Sequence, residues 1–268
     1  MSYETRASID RNQELELIFQ KILTFMDKVI HTKLGSFLKP KKKIRGQFKI
    51  YRFEQKDVTT ALFLKIVQAT SNLRTGKLLI EHGFLYEWEV IQRLLHEITE
   101  DILFLMIAEW SNNLTDIHQK YLNNFYMENI NKHGKPAQNR FHHIPRQKIR
   151  STLETMPEIS TGKIKKITPQ ITNLLKIAYK ISSGYVHGTA SSIMQYYDPE
   201  KHHFLTNGAS VEDIDKEMKA FWTSANILIM SFLIIGPEWL SKSQLFDLQK
   251  IWEQLDQIIQ RQHPTPIN

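Results

Sequence analysis

The sequence predicts an all-α protein, a bundle of about six or seven helices with a small β-hairpin late in the chain. Apolar residues recur three and four positions apart over most of the 268 residues, the period of a helix buried along one face. Helix start and stop signals bracket these segments, and only two short stretches alternate apolar and polar residues as strands do. With 41% hydrophobic residues the chain can bury a substantial core without staples, so one helical domain over 1–268 is expected. Its core is expected at about 57–262, beside a basic connector at 36–56 and a basic loop or lid at 131–167.

Leu15, Ile18, Ile22, Phe25, Met26 and Val29 form the apolar stripe of a first helix that stops near Gly35. In the connector, QFKIYRF alternates apolar and cationic residues and reads as a short strand. From Asp57 to Trp110 the pattern gives two long helices punctuated by Gly83. LTDIHQKYLNNFYMENI supplies another helix, and RQKIRSTLE a short one inside the 131–167 window.

Thr168 before Pro169 is an N-cap and first-turn proline for a helix through ITNLLKIAYKISSGYVHG, which Gly188 ends. SIMQYYDPEKHHFLTN has two extended pieces around DPEK, the expected hairpin. Ser210, three before Asp213, resembles a capping box for the next helix. That helix contains ILIMSFLII, about half of the roughly 20 residues a membrane span needs, and so is read as core. SQLFDLQKIWEQLDQIIQRQ is the last helix.

No cysteine is present, which excludes thiol nucleophiles, thiolate metal sites and redox switching, and fits a reducing compartment. The first residues lack the basic start and apolar core of a secretory signal, so a cytoplasmic location is expected. The net charge of +7 favours anionic partners. It is concentrated in two windows without acids, one between Asp27 and Glu54 and one between Glu128 and Glu154. Lys41, Lys42, Lys43 and Arg45 in the first, and Arg140, Arg146, Lys148 and Arg150 in the second, are the candidate nucleic-acid-binding residues. Phe48, Tyr51, Phe53 and Phe141 are interleaved with them, as in a phosphate-tracking groove with base stacking. Anionic lipid or an acidic protein would use the same residues, and plain solvated loops are the alternative.

Two segments carry candidate chemistry. In IQRLLHEITED, Arg93 and Glu97 share a helix face, as do His96 with Glu100 and Glu97 with Asp101. HEITE lacks the second histidine of a zinc-protease helix, so no metal is assigned there, and the acids read as a solvated face. In SSGYVHGTASS, Ser183 lies four before His187 and can fix an imidazole tautomer, while Gly184 and Gly188 allow close approach of a helix or ligand. Helix packing and C-capping around a half-buried histidine would explain the same residues. No nucleophile elbow, phosphate-binding glycine loop or dinucleotide fingerprint occurs, which argues against the corresponding chemistries.

Together, the R-x-x-x-E of GFLYEWEVIQRLLHE and the S-x-x-V-H of YKISSGYVHG resemble an uncharacterised group of bacterial all-helical proteins. That group in turn looks similar to the HEPN superfamily, over about Leu62 to Tyr197 of this chain. The resemblance implies a HEPN-like helical core, frequent dimerisation, and metal-independent, cofactor-free RNase activity in toxin, abortive-infection and phage-defence systems. His187 matches the histidine of the R-x(4 to 6)-H motif, which acts on the ribose 2′-hydroxyl. The motif arginine is absent: Lys180 stands at the longest spacing and Ser182 at the shortest. Lysine gives charge without the bidentate fork, so Arg93, oriented by Glu97, is the other candidate phosphate stabiliser. The leading expectation is an RNA-engaging protein with His187, Arg93, Glu97, Ser183 and Lys180 at its site. The alternatives are a non-catalytic helical interaction module whose Arg, Glu and His network is structural, and a simple binder of anionic ligands through the basic windows.

Overall fold

The computed structural model describes residues 3–36, 39–110, 112–137, 144–155, 173–177, 179–180, 183–200, 202–206 and 208–262. It is mainly helical, with two small antiparallel hairpins among the described residues. In chain order the elements are α1 (Tyr3–Leu34), β1 (Lys41–Arg45), β2 (Phe48–Arg52), α2 (Val58–Glu81), α3 (Leu85–Trp110), α4 (Asp116–Phe125) and α5 (Arg146–Thr155). Helical residues 173–177, 179–180 and 183–186 are grouped as α6. There follow α7 (Ala190–Ile193), a 3₁₀ turn (Met194–Tyr196), β3 (Tyr197–Asp198), β4 (His203–Phe204), α8 (Val211–Trp239) and α9 (Lys242–Gln262).

The framework divides into two compact units that each draw on several parts of the chain. The first comprises 1–29, 69–99 and 173–268, and the second 30–68 and 100–172, so α2 and α3 each contribute to both. In the first unit the stripe expected on α1 is the buried one: Ile18, Ile22 and Met26 are all at most 4% exposed. Rings of Phe19, Trp88, Phe221 and Trp222 pack at centroid separations of 5.1–6.0 Å, in the tilted and edge-on arrangements that the ring quadrupole favours. Trp88 reaches its place only because residue 76 is glycine; a Cβ there would lie inside the indole ring's contact distance.

The helix stops predicted at Gly83 and Gly188 both occur, as does the one near Gly35. At the end of α2, Gly83 has φ +76°, and the Phe84 N–H closes the helix on the Leu79 carbonyl at 2.8 Å. Gly188 has φ +59°, and the Thr189 N–H bonds the Gly184 carbonyl at 3.1 Å. The hairpin expected around DPEK is β3–β4, pairing Tyr197 with Phe204. Ser210 caps α8, its hydroxyl accepting from the Asp213 N–H at 3.2 Å. The apolar run of α8 is core, with Leu228, Ile229 and Phe232 at most 2% exposed. Among the described residues no helix is long and apolar enough to cross a membrane.

In the second unit, β1 and β2 form a ribbon in which the expected strand QFKIYRF pairs with the lysine run before it. Phe104 and the fully buried His118 stack at 3.9 Å. Thr115 begins α4 by donating its backbone N–H to His118 Nδ1 at 3.3 Å, a capping box with histidine in place of the acid. The short helix expected in the basic window is α5; the Thr168–Pro169 start lies outside the described residues.

Candidate functional site

Tyr86, Glu89, Arg93 and Glu97 are spaced by three, four and four along α3 and therefore share one face of it. Arg93 is the polar centre of this face, with a side chain only 12% exposed. Its Nε donates to Glu97 Oε1 at 3.1 Å, one Nη donates to the Tyr179 hydroxyl at 3.0 Å, and the other reaches Ser183 Oγ at 3.5 Å. The guanidinium also lies 4.4 Å from the centroid of the Tyr179 ring, so charge, stacking and hydrogen bonding all tie α3 to α6. Three of the five guanidinium N–H groups are engaged by these contacts.

Tyr179, Ser183 and His187 are successive residues at a spacing of four on α6 and its end. Helical bonding continues to the histidine, whose backbone N–H bonds the Ser183 carbonyl at 3.3 Å. His187 is exposed in the turn that Gly188 closes, and Lys180 is exposed two turns earlier. Arg93, Glu97 and Ser183 are thus brought together by bonds, and His187 follows one turn beyond them. The turn is held by hydroxyls, with Ser192 Oγ donating to the Gly184 carbonyl at 2.9 Å.

The next residues of α3 serve a separate purpose. Gln92 Nε2 and His96 Nε2 both lie 3.1 Å from Ser224 Oγ on α8, while that hydroxyl donates to the Ala220 carbonyl at 3.0 Å. A serine oxygen accepting from both requires the Nε2–H tautomer of a neutral His96. Burial holds its pKa down at about 4, in agreement with that state.

Sequence reasoning missed a pair of carboxyls. Glu89, 8% exposed, meets Glu217 of α8 in the lining of a cavity of about 560 Å³. Burial, and then the charge of Glu217, push Glu89 up to about 8; Glu217 is raised as well, by burial first. The only signal in the sequence was Glu89 standing four before Arg93; nothing marked its partner on another helix.

The basic windows have divided fates. Lys41, Lys42, Lys43 and Arg45 all lie on β1, and Lys41 pairs with Glu54 at 2.7 Å. One face of the ribbon joins Lys42 to Tyr51 and Ile44 to Lys49, all four exposed. Lys148 is exposed on α5, and Arg140 lies outside the described residues.

Arg146 and Arg150 instead turn inward: Arg146 Nη1 is 2.5 Å from Asp101 Oδ1, and Arg150 Nε is 2.6 Å from Glu100 Oε1. Lys65 adds a third cation, 2.9 Å from Asp101 Oδ2. This corrects the reading of Glu100 and Asp101 as a solvated face, since each side chain is 1% exposed. It also removes Arg146 and Arg150 from the freely solvated cations, because buried acids need them as counter-charges. No group of three or more His, Asp or Glu placed to hold a metal occurs among the described residues.

The chain has no match among family models, curated proteins or solved structures.

Proposed function

We propose that this chain engages RNA and cleaves it without a metal, using His187 as general base and Arg93 to hold the scissile phosphate. The observation carrying this reading is that Arg93 is bonded to Tyr179 and Ser183 on the helix whose exposed end is His187. Among the described residues two guanidinium N–H groups have no partner and could meet a phosphate oxygen, and the exposed Lys180 adds charge on the same segment. In the step envisaged, the ribose 2′-hydroxyl gives its proton to the imidazole and its oxygen attacks phosphorus. The P–O5′ bond then breaks and the leaving oxygen takes a proton from water, giving a 2′,3′-cyclic phosphate and a 5′-hydroxyl. Lys42, Lys43 and Lys49 of the ribbon add sequence-independent attraction for the backbone. In this reading the protein is HEPN-like, cytoplasmic and dimeric, and serves as a toxin or abortive-infection component of phage defence.

The test is cleavage of a labelled single-stranded RNA in EDTA by the purified protein and by His187→Ala. Cyclic-phosphate products from the first, and their absence with the second, are expected. No cleavage, or equal cleavage by the variant, overturns the reading. The burial of Arg93 and its pairing with Glu97 favour a second reading, a non-catalytic interaction module in which this network fixes helix register. That reading predicts lost stability in Arg93→Ala and no turnover from either protein.

A further inference from the structure

The cavity beside Glu89 belongs to neither reading. Its volume of about 560 Å³ is within the roughly 300–1,000 Å³ of small-molecule sites. The lining joins the carboxyls of Glu89 on α3 and Glu217 on α8 to the rings of Tyr86, Tyr185 and Tyr196. Tyr86 stacks on Tyr196 at 5.3 Å and meets Tyr185 edge-on at 5.6 Å, while its hydroxyl donates to the Tyr185 carbonyl at 2.5 Å. The aromatic wall is therefore fixed before any ligand arrives. By contrast, the acids are compensated only in part: they bond each other, and Glu217 also draws on Lys216 and the Trp88 side chain. Glu89 is more than nine-tenths buried, and its Oε2, like Glu217 Oε2, is sealed from solvent with no hydrogen-bond donor among the described residues.

Two carboxylates in contact cannot both stay ionised, so the pair shares a proton. The other charged groups lining the cavity, Asp213 and Lys216 of α8, offset one another. The cavity therefore carries about one negative charge beside electron-rich rings, a combination that attracts a cation. We propose that it binds an organic monocation, a primary amine or guanidinium on an aromatic or apolar body, with the charged head between Glu89 and Glu217 and the body against the tyrosines. The head donates to both carboxylates and displaces their shared proton to solvent. Because Glu89 is pushed up to about 8, with Glu217, Asp213 and Lys216 the charged groups facing it, binding strengthens from pH 6 toward pH 8 by about tenfold or more. This site is independent of any action on RNA.

The test is isothermal titration of the full chain with phenethylamine and phenylguanidine, with 2-phenylethanol as the neutral control. Titration in two buffers of different ionisation enthalpy counts the released protons. Binding by at least one cation with a Kd of about 1 mM or tighter, with proton release, is expected. Glu89→Gln should weaken it by about tenfold, and thermal unfolding verifies that the variant is folded. If that variant does not fold, Tyr196→Leu serves in its place, with a loss of about threefold or more expected. The proposal is overturned if neither cation binds at about 10 mM, if 2-phenylethanol binds as tightly, or if the folded variant binds as the parent does.

Discussion

Arg150→Met takes away the principal counter-ion of a carboxylate that water cannot reach. Arg150 is 11% exposed and its Nε stands 2.6 Å from Glu100, whose side chain is 1% exposed. Removing one member of such a pair costs about 3–5 kcal/mol, because the other is left buried with its charge uncompensated. Two features reduce that here: Arg146 stays 4.0 Å from Glu100, and the acid can take up a proton. A loss of about 3 kcal/mol near pH 8 is therefore expected.

The loss depends on pH in a determined direction. Burial already raises the Glu100 pKa above its usual 4.5, with Arg150 and then Arg146 pulling it down. A carboxyl raised on folding binds more protons in the folded state, so its contribution to stability falls as pH rises from the unfolded value through the folded one. Without Arg150 that window widens, and the deficit is smallest near about pH 5 and largest near about pH 8. Urea unfolding followed by circular dichroism at these pH values measures it. The double variant Arg150→Met/Glu100→Gln removes both charges and should regain most of the stability. A deficit below about 1 kcal/mol at pH 8, or a double variant no better than the single one, would show that Glu100 does not depend on Arg150 as its counter-charge.

Other outcomes follow from the same structure. His96, neutral with a pKa of about 4 against 6.5 when free, is depressed by folding, so its contribution is present above pH 6.5 and lost as pH falls toward 4. The full loss is about 3 kcal/mol; His96→Gln keeps an amide donor toward Ser224 but does not titrate, and its unfolding midpoint should vary less across that range. Gly76→Ala drives a methyl into the fully buried Trp88 ring and should cost about 1–3 kcal/mol in chemical denaturation, unlike alanine at an ordinary helix glycine. Lys42→Glu with Lys49→Glu should flatten the dependence of log affinity for RNA on log salt by about two contacts; an unchanged slope would remove the ribbon from the interface.

Local chemistry was legible wherever a residue and its consequence lie within one turn. Gly83 and Gly188 end helices because the backbone there turns left-handed, and Ser210 starts one because its hydroxyl reaches a neighbouring N–H. The Arg93–Glu97 pair was visible for the same reason, being one helical turn long. The expectation of a solvated face for Glu100 and Asp101 fails because local spacing gives a face but not what covers it. Their partners Arg146 and Arg150 stand 45 and 50 residues further along and had the composition of a solvated basic loop.

The helical class, most element ends, the late hairpin and the absence of thiol chemistry are legible in local pattern, since period, capping and composition act over a few residues. Tertiary structure decided which charges are buried, that Arg93 meets Tyr179 and Ser183, and that Glu89 confronts Glu217 from another helix. Burial and electrostatic pairing depend on which faces pack together, and that choice is made by the whole fold over separations local pattern does not record.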